Sequence, residues 1–431
     1  MRRTLTLALI LLSSFALALA LSVTASAQTE STLYTFNETA VFWPNGTLLE
    51  DAKGNFYGTT RGGGAYGMGT VFEFSPPAVV GGAWTFTTLY SFVPYGTGGW
   101  LPISDLVQDK NGAFYGTTYN GGDPVCNCGA VYKLTPPAVA GGAWKESQLY
   151  AFPYDNIHGR IPANAALALT SRGTLYGVTL QGGAWNEGVI YELQTKNGKT
   201  YSETDLYSFG DEADGNTPNG PIALDSAGNL YGVTLWGGAF NQGTVYKYTL
   251  ATRTAPASET ILYSFGTSGS SDGANPSGNL IFDASGDIYG VTNTGGDSNG
   301  DGTVYTLTKS GTTYTESLLF SFDINSTSGI APVAGLAWNT TNNSLYGTTS
   351  QYGEVPANGA GTVFQLLPPA TKGGVWTYDT LYSFAYGVVG GYPTGIVTRD
   401  PTTGNLFGTA QNGGIEGCDL YCGTIWEIAN P

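Results

Sequence analysis

Residues 228–246 read GNLYGVTLWGGAFNQGTVY. Glycine pairs bracket a short middle segment, aromatic residues stand on both sides of it, and no 3.6-residue apolar period runs through it. The phrase returns as GNFYGTTRGGGAYGMGTVF at 54–72, GTLYGVTLQGGAWNEGVIY at 173–191 and GNLFGTAQNGGIEGCDLYCGTIW at 404–426. Self-similarity of this kind is the mark of a repeat architecture.

Three markers count the units. The aromatic before glycine in LYG is Tyr57, Tyr115, Tyr176, Tyr231, Tyr289, Tyr346 and Phe407, at intervals of 55–61 residues. LYSF and its relatives place Tyr34, Tyr90, Tyr150, Tyr207, Tyr263, Phe320 and Tyr382. GTVY and its relatives place Val71, Val131, Ile190, Val245, Val304, Val363 and Ile425. Each marker occurs seven times.

Every unit holds four strand candidates. Strand A ends near an aspartate, as in PIALD at 221–225; B is NLYGVT; C is GTVYKY; D ends in LYSF. In the D strand of the first unit, Trp84, Phe86, Thr88, Tyr90 and Phe92 share one face, which is the period of two a strand requires. Four antiparallel strands repeated seven times predict an all-β, seven-bladed β-propeller. Solenoid coils use roughly 20–45 residues and fit less well. A spare D-like strand, TLYTF at 32–36, precedes the first unit, and the last unit stops after its C strand. Residues 32–36 are therefore expected to complete blade seven beside 394–428, removing a sheet edge.

Arg2 and Arg3, an apolar run from Leu5 to Val23 and the small residues Ala25-Ser26-Ala27 make a secretory signal peptide of residues 1–27. Residues 28–431 form the propeller. Nothing later is apolar for long enough to span a bilayer, so the mature chain is expected to be exported, secreted or periplasmic, and monomeric. Removing the leader, with two arginines and no acid, takes the formal charge from −16 to −18. Such a chain repels phosphate backbones and anionic lipid surfaces, which excludes nucleic acid as a partner.

Export also favours oxidised thiols. Cys418 and Cys422 are expected to close one small loop, and Cys126 and Cys128 a tighter one; a zinc site would need the two pairs to meet.

The units resemble the GloVer (Gloeo/Verruco) tandem repeat of exported bacterial proteins, most clearly in DSAGNLYGVTLWGGAFNQGTVYKY at 225–248 followed by ILYSFG at 261–266. The resemblance covers nearly all of the mature chain. It implies placement outside the cytoplasm and brings no activity with it.

Much of the phrase has a structural reading. Asp51 with Gly54-Asn55, and Asp225 with Gly228-Asn229, read as A–B turns in which the carboxylate accepts backbone N–H bonds. The LYG and LYSF aromatics read as filling between blades. PPAVVGGAW at 76–84, with relatives at 136–144 and 368–376, reads as a longer C–D hairpin carrying a packing tryptophan.

A–B and C–D turns fall on one face of the disc, B–C and D–A loops on the other. The middle of the repeated phrase is the tip of a B–C loop. GGAYGMG, GGAWNEG and GGAFNQG place Tyr66, Trp185 and Phe240 at one position, with Trp236 just before its loop. The D–A loops are expected to add Trp43, Tyr95, Trp100, Tyr154, Tyr386 and Tyr392. Rings with amides and carboxylates beside them suit stacking on sugars; the competing reading is that they seal the blade ends. Tyr66, Trp185, Trp236, Phe240 and Trp100 are the ligand-binding candidates.

Asp297, Asn299 and Asp301 match the first half of a Ca²⁺ loop, but Thr308 stands where a bidentate glutamate belongs, so Ca²⁺ is the one cofactor the sequence allows. His158 is the single histidine, and no nucleophile or phosphate-loop motif is present. No catalytic residue is assigned. The expected function is a binding module for extracellular polysaccharide or a protein partner. The alternatives are a polysaccharide lyase or hydrolase using Glu212, Asp214 or Asp272, and a structural envelope protein.

Overall fold

The structure is a computed structural model. It describes residues 29–431 apart from 38–39, 80, 95–97, 156, 164–165, 196–199, 211–213, 268, 270–271, 297–298, 355–358, 372, 386–389, 415–421 and 430. The expected leader, residues 1–27, therefore lies outside the described residues. All regular structure is β, in seven antiparallel sheets arranged as the blades of a propeller. Blades one to six span 41–91, 100–151, 159–208, 215–264, 273–321 and 336–385, each running from an inner A strand to an outer D strand. Blade seven joins 391–429 to the N-terminal strand Thr29–Thr35, which lies outermost beside Thr424–Ala429. Thr32 faces Trp426, Tyr34 faces Ile425, and Phe36 N–H donates to Gly423 O at 2.9 Å. The closing strand thus begins a few residues earlier than the sequence suggests.

The hydrophobic core is divided among the seven blade junctions, one cluster to each. Its construction explains the repeated phrase. The LYSF phenylalanine of one blade packs on the strand C aromatic of the next: Phe92 on Tyr132 at 5.1 Å, Phe209 on Tyr246 at 5.2 Å, and, across the closure, Phe36 on Phe72 at 5.8 Å. That aromatic lies over the LYG glycine of its own blade. A methyl group on Gly116 would sit 2.8 Å from the Tyr132 ring, and one on Gly347 would collide with Phe364. All seven LYSF phenylalanines are buried, each contributing about 1.5–3 kcal/mol.

The A–B turns are as the sequence suggests. Asp51 Oδ1 accepts from the N–H groups of Lys53 and Asn55, and Oδ2 accepts from Asn55 Nδ2 and the Tyr57 hydroxyl. Asp225 repeats the set with Ala227, Asn229 and Tyr231.

The inner strand differs from the expectation. What reads as the end of a D–A loop is already the first half of strand A: in blade one Val41–Glu50 is a single strand with a register shift between Asn45 and Leu49. Trp43, Trp100 and Tyr392 therefore belong to inner strands, not loops. Each blade carries, in or just before its inner strand, a residue in the left-handed region directly before a proline: Trp43, Leu101, Ile161, Thr217, Asn275, Ala331 and Tyr392, with φ of 53–62°. For Ile161 and Thr217, which are β-branched, that conformation is a backbone outlier. The proline that follows each of these residues also disfavours the right-handed helical region, so the chain turns sharply here without starting a helix. The turn aims the residue's N–H at the preceding blade: Leu101 donates to Met68 O at 3.0 Å, Asn275 to Gln242 O at 2.8 Å and Trp43 to Cys422 O at 3.1 Å.

Deleting residues 28–36 exposes the last C strand and empties the Phe36 site at once. The expected outcome is aggregation or a large fall in melting temperature, read by calorimetry and size-exclusion chromatography. An unchanged melting temperature with monomeric elution would contradict the closure.

Candidate functional site

The B–C tips are built alike. In blade three Gly182 and Gly183 have φ of 90° and 77°, and Asn186 φ of 63°. Asn186 Oδ1 accepts from Gly182 N–H at 3.2 Å, and the LYSF serine, Ser208, accepts from Ala184 N–H at 2.8 Å. Blade four repeats both bonds, with Gly237 N–H donating to Asn241 and Ala239 N–H to Ser264. These contacts hold the intervening aromatic at the crest. Trp185 packs its base on Gly210 and leaves 66% of its surface in solvent; Phe240 rests on Gly266 and leaves 50%. Tyr66 and Trp236 are exposed as well. The tips thus seal and project at the same time.

Trp100 is a different case. It is 9% exposed and packed in the junction of blades one and two, so it is a core residue and not a ligand contact. Tyr95 and Tyr386 lie outside the described residues. The exposed aromatics include two with no counterpart in the repeated phrase, Tyr119 and Tyr352. Among the described residues every exposed aromatic ring is on the B–C/D–A face. Every described lysine is toward the other face, in or beside A–B and C–D turns.

Three cavities open among these loops. The axial one, about 460 Å³, takes Asn45, Asn219, Ser277 and Thr394 from the inner strands, with Arg61, Asn293 and Gln411 above them. At its waist Asp105 accepts from Thr47 N–H at 2.7 Å, and burial pushes its carboxyl above the ordinary range. The second, about 410 Å³ between blades four and five, is lined by Phe240, Gln242, Asp272, Thr294 and Asn299. The third, about 530 Å³ between blades two and three, is lined by Tyr119, Tyr154, Arg160, Asn127 and Gln181. The sulfurs of Cys126 and Cys128 are bonded to each other at its rim. Cys418 lies outside the described residues, so its expected bond to Cys422 does too.

The Ca²⁺ half-loop is described only in part. Asp297 lies outside the described residues, Asn299 lines the second cavity, and buried Asp301 turns to accept from Ile324 N–H at 2.7 Å. No cluster of three metal-binding acidic, histidine or cysteine side chains occurs among the described residues.

The candidate catalytic acids are built into junction walls. Asp214 accepts from the Tyr207 hydroxyl at 2.8 Å and Gly215 N–H at 2.7 Å. Asp272 accepts from the Tyr263 hydroxyl at 2.9 Å and from the N–H groups of Gly266 and Gly273. Glu212 lies outside the described residues. His158 Nδ1 pairs with Asp155 in their own exposed loop.

A pattern not apparent in the sequence surrounds these walls. Blades two to five carry a buried strand C tyrosine, Tyr132, Tyr191, Tyr246 or Tyr305, and a half-buried strand D glutamate, Glu146, Glu203, Glu259 or Glu316. Blades one and six replace the pair by stacked rings, Phe72 on Phe86 and Phe364 on Tyr378. The two positions change together in these six blades, while blade seven has Trp426 and Glu30 at them; a residue-by-residue reading does not detect this. Burial, then the Asp214 charge, raises Glu259 to about 7; burial, then Asp272, raises Glu316 to about 7; burial, then Asp205, raises Glu203 to about 8.

With this geometry in view, the family model described as the Gloeobacter/Verrucomicrobia repeat matches residues 19–166, 124–315 and 224–430. The chain belongs to that repeat family. No curated protein matches it. Among solved structures it is similar to the extracellular domain of a hybrid two-component system of B. thetaiotaomicron, at 14% identity and TM-score 0.51, over 92% of this chain and 39% of that one. A Dyadobacter fermentans protein of unknown function matches at 13% identity and TM-score 0.44, over 94% and 100%. PorZ, a surface component of the type IX secretion system of Porphyromonas gingivalis, matches at 12% identity and TM-score 0.49, over 89% and 46%. The first of these likenesses is one of fold.

The shifted acids set the pH dependence of stability. A glutamate whose folded value is raised from 4.5 to about 7 contributes fully below 4.5 and loses that contribution as pH rises through 7. The turn aspartates work the other way. Burial opposes ionisation of Asp51 and Asp225, but hydrogen bonds from the asparagine side chains, backbone N–H groups and tyrosines outweigh it and hold them below 3.8, so their contribution is lost in acid. The melting temperature should peak near pH 5 and fall toward pH 8, and Glu259→Gln with Glu316→Gln should flatten the fall. A melting temperature that rises from pH 5 to pH 8 would contradict the assignment.

Proposed function

We propose that the chain is an exported binding module for extracellular polysaccharide, with its ligand lying across the B–C/D–A face. The observation that carries the reading is the segregation of exposed rings. Tyr66, Tyr119, Tyr154, Trp185, Trp236, Phe240 and Tyr352 all project on that face, beside grooves within the size range of ligand pockets. A sugar ring offers a ring-sized apolar face to an aromatic and hydroxyls to nearby amides and carboxylates. The groove of Phe240, Gln242, Asn299 and Asp272 supplies both. The leader expected at residues 1–27 and the extracellular origin of the B. thetaiotaomicron domain support a ligand outside the cytoplasm.

The same face favours a second reading. Exposed aromatics and arginine without lysine are the composition of protein interfaces, so a protein partner is the alternative ligand. Hydrolysis or lysis has less support, because Asp214 and Asp272 stand in separate junctions with their oxygens engaged by tyrosine and backbone donors.

Trp185 and Phe240 sit on neighbouring blades, three and four. Stacking on each ring is worth roughly 1–2 kcal/mol, so Trp185→Ala combined with Phe240→Ala should weaken polysaccharide binding about tenfold to a few hundredfold, with the melting temperature little changed. A glycan array or polysaccharide pull-down reads the effect. No binding by the wild type, or equal binding by the double variant, would leave the rings as sealing residues and move the protein-partner reading ahead.

A further inference from the structure

Two cations break the pattern of the binding face. Arg61 and Arg160 are the only lysine or arginine residues on it among the described residues. Neither meets a carboxylate there. The Arg61 guanidinium lies 4.9 Å from the centre of the Trp43 ring and 5.4 Å from that of Tyr119. The Arg160 guanidinium lies 4.8 Å from the centre of Tyr154, and its Nη2 donates to Asn186 Oδ1 at 2.6 Å. Tyr119, Tyr154 and Arg160 line the groove between blades two and three, and Arg61 lines the axial cavity. Tyr119 thus links the two spaces: it lines the groove that Arg160 also lines, and it lies against Arg61 of the axial cavity.

Such an arrangement fixes each arginine by its flat face; in Arg160 Nε is buried without a partner among the described residues and Nη2 donates to Asn186, so the donors left for a ligand are on the two Nη groups. A guanidinium carries five N–H donors in a rigid fork that fits a carboxylate with two parallel bonds. The local acids do not consume them. Asp155 is held by His158 Nδ1 and by the N–H groups of Ile157 and His158. Asp123 accepts from the N–H groups of Val125 and Cys126. Both carboxylates are tied into their own loops, while the two arginines face open, aromatic-lined space. The net charge of the chain repels polyanions at long range, so an acidic sugar has to be held by local contacts; the two arginines, the only cations on this face among the described residues, lie against aromatic rings and together offer those contacts, a ring to stack on and a fork for the carboxylate.

We propose that the groove from the axial mouth across blades two and three binds a carboxylate-bearing polysaccharide, a polymer of uronic acid units. Arg61 and Arg160 engage sugar carboxylates, and Tyr119 and Tyr154 carry sugar rings. This rests on the polysaccharide reading above and names its ligand class.

The test uses the full exported chain in affinity electrophoresis and calorimetry, with polygalacturonate as the acidic probe and neutral polysaccharides such as galactan, glucan and xylan as the other arm. The wild type should prefer polygalacturonate over every neutral polymer. Arg160→Gln should lower affinity for it roughly tenfold or more, and Arg160→Lys should fail to restore it because the fork is lost. Arg61→Gln should act in the same direction. Binding to neutral polymers should be unaffected, and melting temperatures should report that the variants fold. Equal binding of acidic and neutral polymers, insensitive to both arginine substitutions, would overturn the acidic-ligand assignment and leave the polysaccharide reading standing. Absence of binding to every polymer would overturn both.

Discussion

The ring depends on one contact repeated at every junction. The glycine that opens strand C has φ of 91–104°, and a methyl group on it would come within 2.5–2.8 Å of the Cδ of a proline in the next blade. The pairs are Gly69 with Pro102, Gly129 with Pro162, Gly188 with Pro218, Gly243 with Pro276, Gly302 with Pro332, Gly361 with Pro393 and, at the closure, Gly423 with Pro44. The glycine has no side chain to give way, and the proline ring is rigid. On one side of the pair a left-handed residue hydrogen-bonds back to the preceding blade; on the other the glycine carbonyl receives the N–H of the LYSF phenylalanine, as Gly69 O does from Phe92. Backbone register and aromatic packing are therefore fixed at one point, and the loops above it inherit their positions.

How much of this was legible follows from which residue types repeat. LYG, GTVY and LYSF keep their glycines and aromatics in register, so seven units and the blade strands could be counted from the sequence. The inner strand could not be, because its left-handed position is occupied by Trp, Leu, Ile, Thr, Asn, Ala and Tyr in turn. Only the proline after it recurs, and proline within a run argues against a strand. The register shift beyond it also breaks the alternation that would have marked a strand. Trp100 was misplaced for this reason: on a loop it would project, on the inner strand it packs.

The candidate site divides the same way. The loop-tip aromatics were visible because three tips share one phrase. The arginines were not, because a single Arg61 or Arg160 has no repeat to mark it and gains meaning only from the rings it lies against. The tyrosine–glutamate pairs of blades two to five lie on different strands of each blade, and their exchange for ring pairs in blades one and six appears only when the strands are set side by side. The two faces then separate by composition, with lysines and aspartate turns on one and rings, amides and two stacked guanidinium groups on the other.

The interlock can be tested against a built-in control. Gly243 and Gly67 both have positive φ, 92° and 74°, so alanine at either carries a similar backbone cost of about 1–2 kcal/mol. A methyl group at Gly67 meets nothing within 4 Å, whereas one at Gly243 meets Thr234 O of its own blade, still more closely, and Pro276 Cδ of the next at 2.5 Å. Measured by calorimetry on otherwise identical protein, Gly243→Ala should lower the melting temperature well beyond Gly67→Ala, the excess reflecting roughly 1–3 kcal/mol of overpacking. Equal shifts for the two variants would mean that the glycine–proline contact does not hold the blades, and would contradict the account.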